Sequence, residues 1–285
     1  MKIDFMPDAL IFDVDGVLLN VERSFPEVIR RSIQEGWESV CGGETDFDGY
    51  NKDHEKIFKR HGSFNDDYDI AWTMLSIAAY SGKKKLSEAL PSPKELEIEL
   101  SAFKGTVPAW VKEKYGAPVP RDIVRGMCAD LYIGEEGNPG LYSLEVPMLS
   151  FHWSKLPLPV GIYTGRNLIE WDLAKKALGW QDFPEDRIIH SDMGIYKPSP
   201  EGLEILSERL GCENPLFFGD TGSDMKAQSA FGKGHFVAVG RLLPEAKYVY
   251  DSTETAVQEI IAAYTTFPPS FPHALEQETS DLKDL

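Results

Sequence analysis

Cysteine is scarce in this sequence, and long apolar runs are absent. The three cysteines, Cys41, Cys128 and Cys212, are far apart and not in CxxC spacing, which fits reduced structural thiols better than disulfides or a zinc site. No uninterrupted apolar run reaches about 18 residues, and the first ten residues, MKIDFMPDAL, lack the apolar segment of a signal peptide. We therefore expect a cytoplasmic protein with no membrane partner.

Basic residues are also few compared with acidic ones. The chain has 29 Lys and Arg residues against 46 Asp and Glu residues, a formal net charge of -17. Nucleic acids and anionic membrane surfaces both require a basic face, so neither is expected as the main partner. The 42% apolar content over 285 residues is enough for one large domain or two smaller ones. Monomer and homodimer both remain open.

Short apolar runs alternate with helical patterns from residue 159 onward. The runs PVGIYTG, RIIHSD and PLFFGD each precede a helical segment, and HFVAVG follows the last of these. This alternation predicts an α/β fold with a doubly wound, Rossmann-like parallel sheet. The segment ALIFDV, residues 9–14, is expected to supply another strand of the same sheet.

About 120 residues of a different character follow that first strand. Segments such as SFPEVIRRSIQEGWESV and DYDIAWTMLSIAAYSG have apolar residues at helical spacing and almost no strand signal. We predict a Rossmann-like core formed by residues 1–19 and 143–264, with a mostly helical cap at residues 20–142 inserted between them. Residues 265–285 have little periodicity and are predicted to form a C-terminal tail that packs over the core or stays mobile.

Polar side chains follow four of the predicted strands. The carboxyl ends of parallel strands form the ligand site of an open sheet, so these side chains are expected to meet. Clustered carboxylates repel one another unless a cation neutralises them, and Mg²⁺ with oxygen ligands does so where phosphate is the substrate. The sequence thus predicts a site for Mg²⁺ and a phosphoryl group, built from Asp13, Asp15, Thr164, Gly165, Arg166, Lys197, Asp220 and Asp224.

These segments resemble the four ordered motifs of the haloacid dehalogenase superfamily. The matching residues are Asp13-Val14-Asp15-Gly16-Val17, Thr164-Gly165-Arg166, Lys197-Pro198 and Gly219-Asp220-Thr221-Gly222-Ser223-Asp224. The resemblance covers residues 9–24 and about 145–260. The helical insert resembles the C1 cap of the phosphatase-rich subfamily I in position and helical character.

The resemblance implies a role for each acid. Asp13 is expected to attack phosphorus and form an aspartyl-phosphate, while Asp15 protonates the leaving oxygen and later deprotonates water. Mg²⁺ is expected to be held by Asp13, the backbone carbonyl of Asp15, and Asp220. Asp224 is expected to support that site, either as a ligand through water or by orienting Lys197.

Substrate contacts are expected from both the core and the cap. Thr164, neighbouring backbone N–H groups including that of Gly165, and Lys197 are suited to anionic oxygens. Arg166 is a candidate contact for phosphate or a substrate carboxylate, with a salt bridge as the structural alternative. Arg23 at the start of the insert, and Asn65 within it, are candidate cap contacts, although Asn65 fits a helix N-terminus equally well.

Asp15 distinguishes between branches of the superfamily. Dehalogenases and phosphonate-cleaving relatives typically lack an acid there, and ion pumps carry a DKTGT motif and membrane spans. A phosphomutase uses the same two aspartates, but its cap generally contributes a histidine where this chain reads NVERSFPEVI. The resemblance therefore implies a phosphoric monoester hydrolase acting on a small metabolite, such as a sugar or polyol phosphate or a phospho-acid. A phosphomutase and a non-catalytic binding protein of the same fold remain alternatives.

Overall fold

The computed structural model describes residues 3–46, 49–61, 63–64 and 66–266. The predicted contact at Asn65, and the predicted tail from residue 267 onward, lie outside the described residues. No helix in the described part of the chain has the length and the apolar character needed to cross a membrane.

The described residues contain ten strands, six of which form one parallel sheet. In chain order the strands are β1 (Leu10–Phe12), β2 (Leu19–Asn20), β3 (Gly134–Glu135), β4 (Asn138–Pro139), β5 (Val146–Pro147), β6 (Val160–Tyr163), β7 (Ile188–Ile189), β8 (Leu216–Gly219), β9 (His235–Val239) and β10 (Tyr248–Tyr250). The main sheet has the order β10-β9-β8-β1-β6-β7. Strands β1, β6 and β8 are buried along their whole length, as expected for a parallel sheet covered on both faces.

Strand β1 lies in the interior of the sheet, with Leu10 opposite Val160 of β6 on one side and Leu216 of β8 on the other. The chain passes from β1 to β6 and β7, and then crosses back to β8, β9 and β10. The strand order therefore reverses between β1 and β8. This reversal is the place where ligands bind in doubly wound sheets.

Seven α-helices lie between β2 and β3 in the described part of the chain, and we call them the cap. They are α1 (Phe25–Ser39), α2 (Lys52–His61), α3 (Asp67–Tyr80), α4 (Leu86–Ala89), α5 (Pro93–Ser101), α6 (Val107–Tyr115) and α7 (Arg121–Ile133). The core helices are α8 (Leu168–Leu178), α9 (Glu201–Leu210), α10 (Gly222–Phe231) and α11 (Thr253–Thr266), with short 3-10 helices at Leu141–Leu144, Trp153–Lys155, Glu185–Arg187 and Ser191–Met193. The α/β core with an inserted helical cap confirms the predicted fold class.

Helix α3 is the central helix of the cap. Its residues from Tyr68 to Ala78 are all buried, so it has no solvent-facing side over that stretch. A helix that is buried on all sides belongs in a core, and α1, α6 and α7 pack around it. The buried apolar residues of the cap are continuous with those of the sheet, since one cluster contains both Leu75 of α3 and Phe12 of β1.

The two chain segments that connect the cap to the core run side by side. Strands β2 and β5 pair antiparallel, with Leu19 opposite Pro147 and Asn20 opposite Val146. We call residues 21–24 and 134–145 the hinge, because they lie between this pairing and the cap helices. The pairing supports our proposal that the cap comprises residues 20–142 and the core comprises residues 1–19 and 143–264.

Candidate active site

Asp13 directly follows β1 and lies at the switch point of the sheet. Its backbone N–H donates to the carbonyl of Phe218 in β8 at 2.9 Å, which extends the strand pairing to this residue. Its Oδ1 lies 2.8 Å from Lys197 Nζ. Burial raises the pKa of Asp13 well above its usual range, and the charge on Lys197 opposes that rise. This carboxylate therefore depends on nearby cations for its charge.

Lys197 lies between two carboxylates. Its Nζ is 2.6 Å from Asp224 Oδ1 as well as 2.8 Å from Asp13 Oδ1. Burial opposes the charge on the lysine, but Asp13 and Asp224 outweigh it and raise its pKa. The other Asp224 oxygen accepts hydrogen bonds from the backbone N–H and the hydroxyl of Thr221, at 2.9 and 2.5 Å. Asp224 therefore both orients Lys197 and caps α10.

Three buried carboxylates meet where a divalent cation can bind. Asp13, Asp220 and Asp224 offer oxygens that all lie within 4.8 Å of one another. Oδ1 of Asp220 is buried and has no hydrogen-bond partner among the described residues. Burial raises the pKa of Asp220 to about 6, with the nearby Lys59 lowering it. Because an unpaired buried oxygen is unfavourable unless a cation or donor satisfies it, these residues fit Mg²⁺.

Gly16 permits a close approach between two of the motifs. Its φ is +71°, and a Cβ at this position would lie 2.2 Å from Asp220 Oδ2. A side chain there would displace Asp220, so the turn after β1 requires glycine for space as well as for its conformation.

Asp15 is bonded to Arg166. Oδ1 of Asp15 accepts hydrogen bonds from Arg166 Nε at 2.9 Å and from Nη2 at 2.5 Å. The Arg166 side chain is 1% exposed, and it also donates to Glu145 Oε2 and to the Tyr132 hydroxyl. A salt bridge within the protein is therefore what the structure shows for Arg166, and a contact with substrate stays a prediction.

Thr164 and Gly165 directly follow β6 and lie at the same edge of the sheet as Asp13. The Thr164 N–H donates to the carbonyl of Ile189 at 3.0 Å, and its hydroxyl accepts from the Arg166 N–H at 3.2 Å. Thr164 is buried, whereas Gly165 lines a cavity beside Asp13. The predicted roles of both residues toward a phosphoryl group stay predictions.

A cavity of about 300 Å³ lies between these motifs and the cap. The cap lines it with charged and aromatic side chains, among them Glu55, Lys59, Phe64, Asp67 and Tyr68. Nearby, α2 packs against α10, and a Cβ at Gly222 would lie 2.9 Å from the Arg60 carbonyl oxygen. The cap is therefore closed over the acidic cluster.

The candidate cap residues of the sequence differ from those that line the cavity. Arg23 is exposed and borders an outer groove instead of this cavity. Lys59, with its Nζ 3.5 Å from Asp220 Oδ2, was not among the predicted residues. Its segment, KDHEKIFKRH, has the charge pattern of an ordinary solvated helix, and no local signal marks one lysine as facing the core.

Known proteins resemble this chain in sequence and in fold. A family model of haloacid dehalogenase-like hydrolases matches residues 7–232. The solved structure of phosphatase Tt82 from Thermococcus thioreducens is 24% identical, covers 89% of this chain and 99% of its own, and has a TM-score of 0.61. A superfamily hydrolase of subfamily IA, variant 1, from Geobacter sulfurreducens is 16% identical, covers 88% of this chain and 98% of its own, and has a TM-score of 0.51. A search of curated proteins gave no match.

The two solved structures share the fold of this chain. The family model matches its sequence. Its match spans all four motifs, from Asp13 to Asp224, together with the helical insert after β1. The chain therefore belongs to the haloacid dehalogenase-like hydrolase family.

Proposed function

We propose that this protein is a Mg²⁺-dependent phosphatase that hydrolyses a small phosphate monoester through phosphorylated Asp13. The observation that carries the proposal is the convergence of Asp13, Lys197 and Asp220 at the switch point of the sheet, with Asp15 two residues away. Nucleophile, cation and metal-binding oxygens are the parts that phosphoryl transfer requires.

The proposed reaction has two steps, and one acid moves a proton in each. In the first step, a carboxylate oxygen of Asp13 forms a bond to phosphorus while the bond to the ester oxygen breaks, and Asp15 gives that oxygen a proton. In the second step, water attacks the phosphorus of phosphorylated Asp13 and gives a proton to Asp15, and the bond between phosphorus and the Asp13 oxygen breaks. Phosphate is released, Asp13 is again a carboxylate, and Asp15 is again protonated. Lys197 stabilises negative charge beside Asp13 throughout.

The proposed metal ligands are Asp13, Asp220 and the backbone carbonyl of Asp15. The bound ion would neutralise charge between the attacking carboxylate and the phosphoryl oxygens. Asp224 supports this arrangement through Lys197, since its two oxygens already bond to that lysine and to Thr221.

The cap side of the cavity favours a leaving group that carries hydroxyl groups. Glu55 on the cap and Asp192 on the facing core segment line the cavity, and their carboxylates would repel a carboxylate on the substrate. Carboxylate oxygens accept hydrogen bonds from hydroxyl groups, as the Glu170 side chain already does from Tyr68 at 2.7 Å. Among the predicted substrate classes, a sugar or polyol phosphate therefore fits better than a phospho-acid.

The cap histidines do not favour a phosphomutase. His54 and His61 bond through Nε2 to the carbonyl oxygens of Pro91 and Leu100, at 2.9 and 3.0 Å, and neither lines the cavity beside Asp15. Hydrolysis therefore remains the preferred reaction. The oligomeric state and the cytoplasmic location stay predictions.

A phosphate-release assay tests the proposal. Purified protein is incubated with a panel of sugar phosphates, polyol phosphates and phospho-acids, with Mg²⁺ or with a chelator. We expect phosphate release that depends on Mg²⁺, none from Asp13→Asn, and wild-type rates from the control Asp53→Asn, an exposed carboxylate on α2. The proposal is overturned if wild type releases no phosphate from any ester, or if Asp13→Asn matches wild type.

A further inference from the structure

Glu145 is a buried acid in the hinge that the proposed reaction does not use. Its side chain is 2% exposed, and both carboxylate oxygens are bonded. Oε1 accepts hydrogen bonds from the Ser24 hydroxyl at 2.9 Å and from the Tyr132 hydroxyl at 3.0 Å. Oε2 accepts one from Arg166 Nη2 at 3.0 Å. A buried carboxylate with three donors is fixed in place, because any movement leaves a charge unpaired.

The three donors to Glu145 come from three separate parts of the chain. Ser24 belongs to the outgoing segment of the hinge, immediately before α1, and Tyr132 lies in the last turn of α7. Arg166 belongs to the core, three residues after β6. Glu145 itself lies in the returning hinge segment. One carboxylate thus joins both connections of the cap to a core arginine.

Arg166 extends this network to the acid of the active site. Its Nε and Nη2 bond to Asp15, and its Nη1 donates to the Tyr132 hydroxyl at 2.8 Å. Its guanidinium carbon lies 5.3 Å from the centre of the Phe25 ring at the start of α1. All three guanidinium nitrogens therefore have partners in the closed arrangement. The position of the Asp15 carboxylate depends on that of Arg166.

We infer that Glu145 is a positioning residue for Asp15, acting through Arg166, and that its bonds to Ser24 and Tyr132 couple the placement of the acid to closure of the cap. This inference rests on the proposed function, in which Asp15 protonates the leaving oxygen. A hinge movement displaces the Ser24 and Tyr132 donors, which changes the contacts of Glu145 and loosens Arg166. Asp15 is then correctly placed only when the cap covers the substrate.

The dependence of the rate on the leaving group separates this role from a merely structural one. An alkoxide leaves only if it is protonated, whereas p-nitrophenolate is a stable anion that needs little help from an acid. The test compares p-nitrophenyl phosphate with the alkyl phosphate that wild type hydrolyses best, in Glu145→Gln. Glu135→Gln is the matched control, because Glu135 is an exposed glutamate in the same hinge segment.

We expect Glu145→Gln to lower kcat/KM for the alkyl ester about tenfold or more, part of the 10²–10⁴-fold that a positioned acid supplies, with kcat/KM for p-nitrophenyl phosphate changed less than about twofold. The ratio kcat/KM is compared because it covers only the steps up to phosphorylated Asp13, whereas the later hydrolysis uses Asp15 for both esters. In an Asp15→Asn background the same substitution should add nothing, because the acid it positions is gone. Equal losses on both esters, or additive losses in the double variant, would overturn the inference. If Glu145→Gln does not fold, Tyr132→Phe removes one hydroxyl of the network and should shift the ratio in the same direction.

A crystal structure of Glu145→Gln provides a measurement independent of activity. The expected result is an Arg166 side chain that has shifted from its wild-type position together with the Asp15 carboxylate bonded to it, with Asp13 and Lys197 unmoved. Asp15 and Arg166 superposing on their wild-type positions would overturn the inference even if no ester is hydrolysed. Wild type that is inactive on every ester, with Asp15 displaced in the variant, would overturn the proposed function and leave the positioning role supported.

Discussion

Lys59, on cap helix α2, places its ammonium nitrogen 3.5 Å from Oδ2 of Asp220 on the core. The same nitrogen lies 3.6 Å from Glu55 Oε1 one turn earlier. Burial disfavours the charged lysine, but the charges on Asp220 and Glu55 outweigh it and raise its pKa, so the ammonium stays charged. The closed cap therefore adds a positive charge at the edge of the proposed phosphoryl site.

We predict that Lys59→Met raises KM for phosphate esters. A hydrogen bond to a charged group contributes about 1.5–3 kcal/mol, which corresponds to about a tenfold change or more. Steady-state kinetics with the best ester of the screen measures the effect. The control is Lys56→Met on the same helix, whose ammonium is exposed and lies 3.1 Å from Asp53. An unchanged KM in Lys59→Met would show that this lysine does not reach the substrate.

The close contact between Gly16 and Asp220 gives a second prediction. A Cβ at Gly16 would lie 2.2 Å from Asp220 Oδ2, whereas a Cβ at Gly179, which has the same φ of +71°, would meet nothing within 4 Å. Alanine at either position adopts an unfavourable left-handed conformation, which costs about 1–2 kcal/mol. Only Gly16→Ala also displaces a proposed metal ligand.

We therefore expect both glycine variants to lose thermal stability, with the larger loss in Gly16→Ala because of its clash with Asp220, and only Gly16→Ala to bind Mg²⁺ more weakly. Calorimetric titration with Mg²⁺ and a thermal melt measure the two effects separately. Equal Mg²⁺ affinity in Gly16→Ala and Gly179→Ala would contradict the assignment of Asp220 as a ligand.

The described fold and most of the core motifs could be predicted from the sequence. Short apolar runs identify β1, β6 and β8, and in a parallel sheet their ends must share one edge, so Asp13 and Asp220 could be placed together without a structure. The partners of these residues could not be placed in the same way, because they depend on how the cap docks on the core.

Glu145 and Lys59 show why the residues around the motifs could not be predicted from the sequence. Glutamate is almost never fully buried unless it is paired, and its pairing here joins residues from positions 24 to 166, which local spacing does not record. Arg23 was predicted to contact the substrate because it lies close to the first motif along the chain, but its side chain is exposed. The next residue, Ser24, is buried and donates a hydrogen bond to Glu145.

Asp67 gives a prediction on the pH dependence of stability. Burial raises its pKa from 3.8 to about 8, the charge on Asp15 adds to the rise, and Lys59 opposes it. Between these two values the folded protein holds a proton that the unfolded chain has released. The free energy of unfolding of the metal-free protein should therefore fall as the pH rises through this window.

Asp67→Asn should remove that fall. The free energy of unfolding is measured with urea at about pH 5 and about pH 8 in the presence of a chelator. Its decrease between the two pH values should be smaller in the variant than in wild type by at least about 1.4 kcal/mol, the equivalent of one pKa unit. Asp53→Asn, at an exposed carboxylate, should keep the wild-type dependence. A slope in Asp67→Asn that equals the wild-type slope would show that Asp67 is already ionised when folded.

The central claim is that Asp13 carries the phosphoryl group during turnover, and trapping that intermediate tests it most directly. Enzyme, Mg²⁺ and the best ester are mixed, quenched in acid within the first turnover, digested and analysed by mass spectrometry. We predict one added phosphoryl group on the peptide that contains Asp13, lost on treatment with hydroxylamine and absent from Asp13→Asn. Phosphate release at the wild-type rate with no phosphorylated Asp13 peptide, or with the phosphoryl group on another residue, would contradict the account.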